Sequence, residues 1–141
     1  MQKIRRGIID ISKLNVPPEK HEYETAKYFA DRGFDVKFIK PSNIKGTNSP
    51  DFKMIGKFWE TKSPTGSSRR TFDDNFRKAV KQSENIIFDL RRLKIKSEMI
   101  CLNLLKKKTI SPKLKCLLVI TRDGRLLTFK GKFDILKIRV A

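Results

Sequence analysis

Pro50-Asp51-Phe52-Lys53-Met54-Ile55-Gly56-Lys57-Phe58-Trp59-Glu60-Thr61-Lys62 is the stretch on which the fold turns. Asp51 to Met54 and Lys57 to Lys62 are strand-compatible runs, and Ile55-Gly56 between them supplies a tight turn whose glycine tolerates positive φ. The stretch reads as a hairpin with Asp51 opposite Glu60. Opposed residues share a sheet face, and Lys62, two positions beyond Glu60, joins them, while Phe52, Met54 and Trp59 point to the other side. That other side is core. Two carboxylates facing each other across a strand pair repel, so their pairing needs a reason, and a divalent cation is the natural one.

On the N-terminal side, residues 1–16 are basic and weakly patterned, an arm or a short edge strand. Pro17-Pro18 then opens a helix from Glu19 to Asp31, with acidic residues in its first turn and Gly33 just past its end. Tyr23, Ala26, Phe29 and Ala30 form its apolar stripe, Glu22 lies at the edge of that stripe and Glu24 points nearly opposite. Asp35 to Ile39 alternates as a strand, and a polar loop runs from Lys40 to Ser49.

On the C-terminal side, Ser63 to Arg70 reads as a loop that ends in two arginines. A second helix follows from about Asp73, with Phe76, Ala79, Val80 and Ser83 inward and Arg77, Lys78 and Lys81 outward. Asn85 to Leu90 is a continuous apolar strand of the kind a sheet covered on both faces uses. A basic helix is expected from about Ile95 to Leu105, closed by Lys106-Lys107-Lys108. Leu114 to Thr121 and Arg125 to Lys130 form a second hairpin around Asp123-Gly124, and the tail from Lys132 alternates in part.

The chain has 141 residues, enough for one core-bearing domain. Its 33 lysines and arginines against 15 acidic residues leave a net charge of +18, a self-repulsion that makes sense when a polyanion is the partner. Nucleic acid is the first such partner, and an acidic membrane surface or an acidic protein are the others. No apolar run is long enough to span a membrane, and no apolar signal core follows Met1 to Arg6. Cys101 and Cys116 have apolar neighbours and no metal-ligand spacing, which makes them core thiols. His21 is the sole histidine, so any catalysis falls to carboxylates and lysines.

Helix, strand, hairpin, helix, strand is the order of an α/β or α+β fold, a central mixed β-sheet flanked by helices. Pro50-Asp51, Glu60 and Lys62, preceded by a helix with an inward glutamate, resemble the PD-(D/E)XK nuclease superfamily with its restriction-endonuclease-like core. His21-Glu22 with Thr25-Ala26, Ser49 to Phe52, Trp59 to Pro64 and Gln82 to Ile87 look like one branch of it, the C-terminal nuclease domains of contact-dependent growth-inhibition toxins. The likeness runs from about residue 17 to 92. It implies a single nuclease domain over residues 1–141, with an arm at 1–16, the nuclease core at 17–92, and a basic helix and hairpin at 93–141.

The resemblance further implies a metal-dependent endonuclease using Mg²⁺ or Mn²⁺. Asp51 takes the bridging metal role, Glu60 is the second ligand, and Lys62 positions the attacking water and stabilises charge. The helix glutamate maps to Glu22, directly or through a water. RNA, and within it tRNA, is the implied substrate, with the bacterial cytoplasm as the site of action and delivery from another cell as part of a larger toxin. The chain either stands alone or is excised from that toxin, and an acidic immunity protein would neutralise it.

From the residues themselves, Arg69, Arg70, Lys78 and Lys81 are best placed to hold a phosphate backbone, and Gln82 borders their face. Three alternatives stay open. The same carboxylates serve a DNase of this superfamily, a noncatalytic nucleic-acid-binding module would use the basic surface alone, and Glu22 can instead be a salt-bridged group with Lys62 as its partner.

Overall fold

The structure, a computed structural model, describes residues 5–41, 49–96, 100 and 113–131. Along them run β1 (Ile9–Asp10), α1 (Lys20–Ala30), β2 (Val36–Phe38), β3 (Phe52–Met54), β4 (Lys57–Lys62), α2 (Arg69–Gln82), β5 (Asn85–Asp89), β6 (Cys116–Ile120) and β7 (Leu126–Lys130). The strands are hydrogen-bonded in chain order. Pairing is parallel at β1–β2, β4–β5 and β5–β6 and antiparallel elsewhere, a mixed sheet in an α+β fold, as the sequence predicts. The chain divides into two compact units, and among the described residues the division falls between Trp59 and Glu60, inside β4.

In the first unit the hairpin has the expected register, with Phe52 opposite Trp59, Lys53 opposite Phe58 and Met54 opposite Lys57. Its turn residues Ile55 and Gly56 have φ of 48° and 73°. Two consecutive left-handed residues give the twist that a two-residue hairpin requires. Trp59 is fully buried and its indole N–H donates to the Met54 carbonyl at 3.0 Å, so the ring's polar group is satisfied within the hairpin. Val36, Phe38, Phe52, Met54 and Trp59 are buried, whereas Lys37, Lys53 and Phe58 alternate with them and are exposed. These strands have one core side and one open side.

Helix α1 packs against β1 and β2, burying Thr25, Ala26, Tyr28, Phe29 and Ala30. This corrects the predicted stripe. Tyr23 is 40% exposed, and Tyr28 takes the inward place, with Phe29 edge-on to its ring at 5.4 Å and the Arg32 guanidinium over it. The buried arc is centred on Thr25, Ala26 and Phe29, so Tyr23 falls at its margin. The edge strand foreseen in residues 1–16 forms as β1. Its approach depends on Gly7, where a Cβ would lie 1.9 Å from the Phe34 carbonyl oxygen.

In the second unit β5 and β6 are apolar on both sides, and Phe72, Phe76 and Ala79 of α2 cluster with Ile86, Phe88, Leu117 and Val119. Phe76 stacks on Phe88 at 5.7 Å. Helix α2 starts at Arg69, a turn before the predicted Asp73, because the fully buried Phe72 extends the stripe of Phe76 and Ala79 by one turn. Ser83, expected on the inward face, is the C-cap. The Asp123-Gly124 hairpin forms, with Gly124 at φ 87°.

Ile95 and Lys96 are not helical, because Leu93 bridges to Gly66 and the Lys94 N–H donates to the Gly66 carbonyl at 2.7 Å, which holds this segment extended. Ile100 is helical and buried. The rest of the expected basic helix, Lys106 to Lys108, Cys101 and the tail from Lys132 lie outside the described residues. Cys116 is a buried thiol on β6, in line with its apolar neighbours.

Candidate active site

The second half of β4 holds the most unusual group in the second unit. Glu60 pairs with Ile86 and Lys62 with Phe88 in parallel register, so both share the side of β5 that α2 covers. The Glu60 side chain is only 7% exposed and Lys62 21%, and the Lys62 ammonium lies 3.4 Å from Glu60 Oε1. A carboxylate leaves water at this cost only beside a compensating positive charge. Alternation along one strand delivers that charge.

In the first unit Asp51 is half-buried at the head of β3. Its N–H donates to the Trp59 carbonyl at 2.9 Å, on the residue that Phe52 already faces, and its carbonyl accepts from Ile39 N–H at 3.1 Å, so the regular β3–β4 pairing ends at Phe52 and Asp51 follows as a bulge. Glu22 lies in the first turn of α1 and is half-buried, while Glu24 is exposed. Thr25, Ala26 and Phe29, three, four and seven positions on, are all buried, which puts Glu22 on the inward side of the helix. Glu19, His21 and Glu22 each offer a ligand atom within 4.8 Å of the others, and His21 Nδ1 is 3.4 Å from Glu19 Oε2.

Of the basic candidates, Arg70, Lys78 and Lys81 are exposed on α2. Arg77 joins them there and is 3.9 Å from Asp74. Arg69 and Arg70 are the first two residues of the helix, not the end of a loop, and Gln82 is its last. No acidic residue stands in that first turn, so the positive end of the helix dipole is reinforced.

Among the described residues, two of the carboxylate–arginine pairs that the sequence expectations leave out have the pattern Asp-x-Arg. Buried Asp89 accepts from Arg91 Nε at 2.9 Å and from Nη2 at 2.7 Å, a bidentate pair. In the β6–β7 turn Asp123 accepts from the buried Thr121 hydroxyl, and Arg125 Nε lies 3.0 Å from its other oxygen. The Thr121 hydrogen bond, followed by Arg125, holds the Asp123 carboxyl below its ordinary value of 3.8. The Asp-x-Arg spacing itself is the signal for both.

Among the described residues no helix is long and apolar enough to cross a membrane. The contact-dependent growth inhibition CdiA C-terminal domain model matches residues 47–126, a span holding Asp51, Glu60, Lys62 and all of α2 and leaving Glu22 outside. It also extends well beyond the residues that carry the sequence resemblance. Among solved structures the chain is similar to one described as a CdiA-CT/CdiI toxin and immunity complex from Burkholderia pseudomallei. The TM-score is 0.66 at 20% identity, over 89% of this chain and 100% of that one, which speaks for a shared fold. None of the curated proteins compared with the chain matches it. With more than half of its length inside the family match, the chain belongs to the contact-dependent growth inhibition CdiA C-terminal domain family, whose members are toxin effectors.

Proposed function

We propose that this toxin domain is a metal-dependent endonuclease of the PD-(D/E)XK type, acting on RNA and within it on tRNA. Asp51 and Glu60 would hold Mg²⁺ or Mn²⁺, with Glu22 contributing from α1, and Lys62 would stabilise charge at the scissile phosphate. The single observation that carries the reading is the buried Glu60 carboxylate with the Lys62 ammonium 3.4 Å away on the same strand.

All three proposed ligands are carboxylates, the hard oxygen donors that Mg²⁺ and Mn²⁺ prefer. When bound, such an ion supplies Lewis acidity and a nucleophilic water near neutral pH. The chain's own groups do the rest. Lys62 keeps a fixed ammonium beside the non-bridging phosphate oxygens and orients the attacking water through its N–H donors. Arg69, Arg70, Lys78 and Lys81, with Gln82 at their border, bind neighbouring phosphates.

A net charge of +18 supports an acidic immunity protein as the neutralising partner, and the similar solved structure is itself a toxin and immunity complex. The proposed site of action is the cytoplasm of a recipient bacterium, reached as part of a larger delivered toxin. The test is digestion of total RNA, purified tRNA and plasmid DNA with Mg²⁺, with Mn²⁺ and with chelator. Metal-dependent cleavage of tRNA ahead of DNA is expected. Cleavage of DNA alone would move the substrate, and retained binding without cleavage under any ion would make the domain a noncatalytic binder.

A further inference from the structure

The open side of the first unit carries a row that its burial does not explain. Lys37 on β2 is directly opposite Lys53 on β3, and Lys53 is directly opposite Phe58 on β4. Directly opposed residues share a face, so Lys37, Lys53 and Phe58 form a line across three strands, about 10 Å long at the usual strand spacing. All three are exposed, Phe58 by 49%. The Lys53 ammonium lies 5.6 Å from the centre of the Phe58 ring. Asp10, in register with Lys37, ends the row on β1.

Two features of the row work against stability. Two lysines opposed across a strand pair repel, and a large aromatic ring left half in water gives up burial energy. The sequence had other choices, since the core side of the same strands is filled by Val36, Phe38, Phe52, Met54 and Trp59. Cations beside an exposed aromatic ring on an open sheet face are what single-stranded nucleic acid needs. Its bases have flat π-faces to stack and its phosphates are spaced to meet ammonium groups.

We infer that Lys37, Lys53 and Phe58 form a platform for a single-stranded stretch of nucleic acid, with one base stacked on Phe58 and the adjoining phosphates held by the two lysines. The choice of ligand rests on the nuclease reading above. A duplex hides its base faces and can be held by the lysines alone.

The test measures binding in chelator, where the proposed cleavage is off, by anisotropy of a fluorescein-labelled single-stranded RNA and of the same sequence as a duplex. Phe58→Ala should weaken single-strand binding by about tenfold or more and leave the duplex within about twofold, while Phe58→Trp restores single-strand affinity. Lys37→Gln with Lys53→Gln should weaken both probes and flatten the single-strand salt slope by about 1.4. Because all three side chains are exposed, no variant should melt below wild type, and the double lysine variant, relieved of the opposed charges, should melt at or above it.

Equal single-strand affinity of Phe58→Ala and wild type would overturn the platform, as would an unchanged salt slope in the double lysine variant. So would loss of affinity for polyglutamate without loss for RNA, which would assign the face to an acidic protein. The nuclease reading fails separately, when metal-supplied wild type binds RNA through these residues and does not cut it.

Discussion

The Lys62 ammonium sits 3.4 Å from the buried carboxylate of Glu60, two positions away on one strand. Each group sets the other's cost. Without Lys62 the buried Glu60 carboxylate loses a counter-charge, whereas Lys62, more exposed, keeps partial access to water. Lys62→Met should therefore destabilise the domain by about 1–3 kcal/mol, and Glu60→Gln by less. In the double variant the two losses should fall short of their sum by about 1 kcal/mol or more, read from urea unfolding. Strict additivity would mean that the two groups do not interact in solution.

Metal should register as stability as well as activity. A cation that binds only the folded state adds about 2.7 kcal/mol at a hundredfold excess over its Kd. Wild type should melt higher in Mn²⁺ or Mg²⁺ than in chelator. Asp51→Asn should lose most of that response and, relieved of carboxylate repulsion, should melt above wild type in chelator. A wild-type Tm indifferent to both ions would count against Asp51 and Glu60 as ligands.

Ile55 holds a left-handed backbone at φ 48° while 47% exposed, a conformation that a β-branched residue resists. Asparagine favours this place in a two-residue turn. Ile55→Asn should raise unfolding stability by about 1 kcal/mol and leave nucleic-acid binding unchanged. A loss of stability in the urea melt would show that the Ile55 side chain contributes more than its strained backbone costs.

Asp123 gives the fold a pH signature. Its folded value lies below the ordinary 3.8, chiefly through the Thr121 hydroxyl and then Arg125. A depressed carboxyl contributes stability that is fully present above 3.8 and is lost as pH falls through the lower folded value. Wild type should out-melt Asp123→Asn at neutral pH, and the gap should close only below 3.8. A gap that closes already at pH values above that point would contradict the assignment.

The exposed face of α2 should set the salt dependence of duplex binding. Replacing Arg70, Lys78 or Lys81 by glutamine should flatten the slope of log affinity against log salt by about 0.9 for each phosphate no longer neutralised. Unchanged slopes in all three would move the backbone-binding surface elsewhere on the chain.

The hairpin was legible because its signals are local. Alternation of Phe52, Met54 and Trp59 about Ile55-Gly56 fixes the register from Phe52 to Trp59. Asp123-Gly124 was legible for the same reason. The start of α2 was not, because Ser67-Ser68 and two arginines read as a loop, although arginine is a good helix former and Phe72 continues the apolar stripe. Tyr23 and Tyr28 were exchanged because both border the same arc and only packing against the strands separates them. The Asp89–Arg91 pair had a local signal in its Asp-x-Arg spacing, whereas the row of Lys37, Lys53 and Phe58 depends on pairing across three strands. No local pattern contains such non-neighbour pairings.

The central claim is that Glu60 is a catalytic carboxylate, and the most direct measurement is the single-turnover rate of tRNA cleavage by wild type and Glu60→Gln in Mg²⁺ and in Mn²⁺. The substitution keeps the shape of the side chain and removes only its charge, and RNA affinity in chelator serves as the control for folding. The account predicts a rate at least about a hundredfold lower with affinity nearly unchanged. A Glu60→Gln rate within about threefold of wild type would contradict it and leave the Glu60–Lys62 pair a purely structural one.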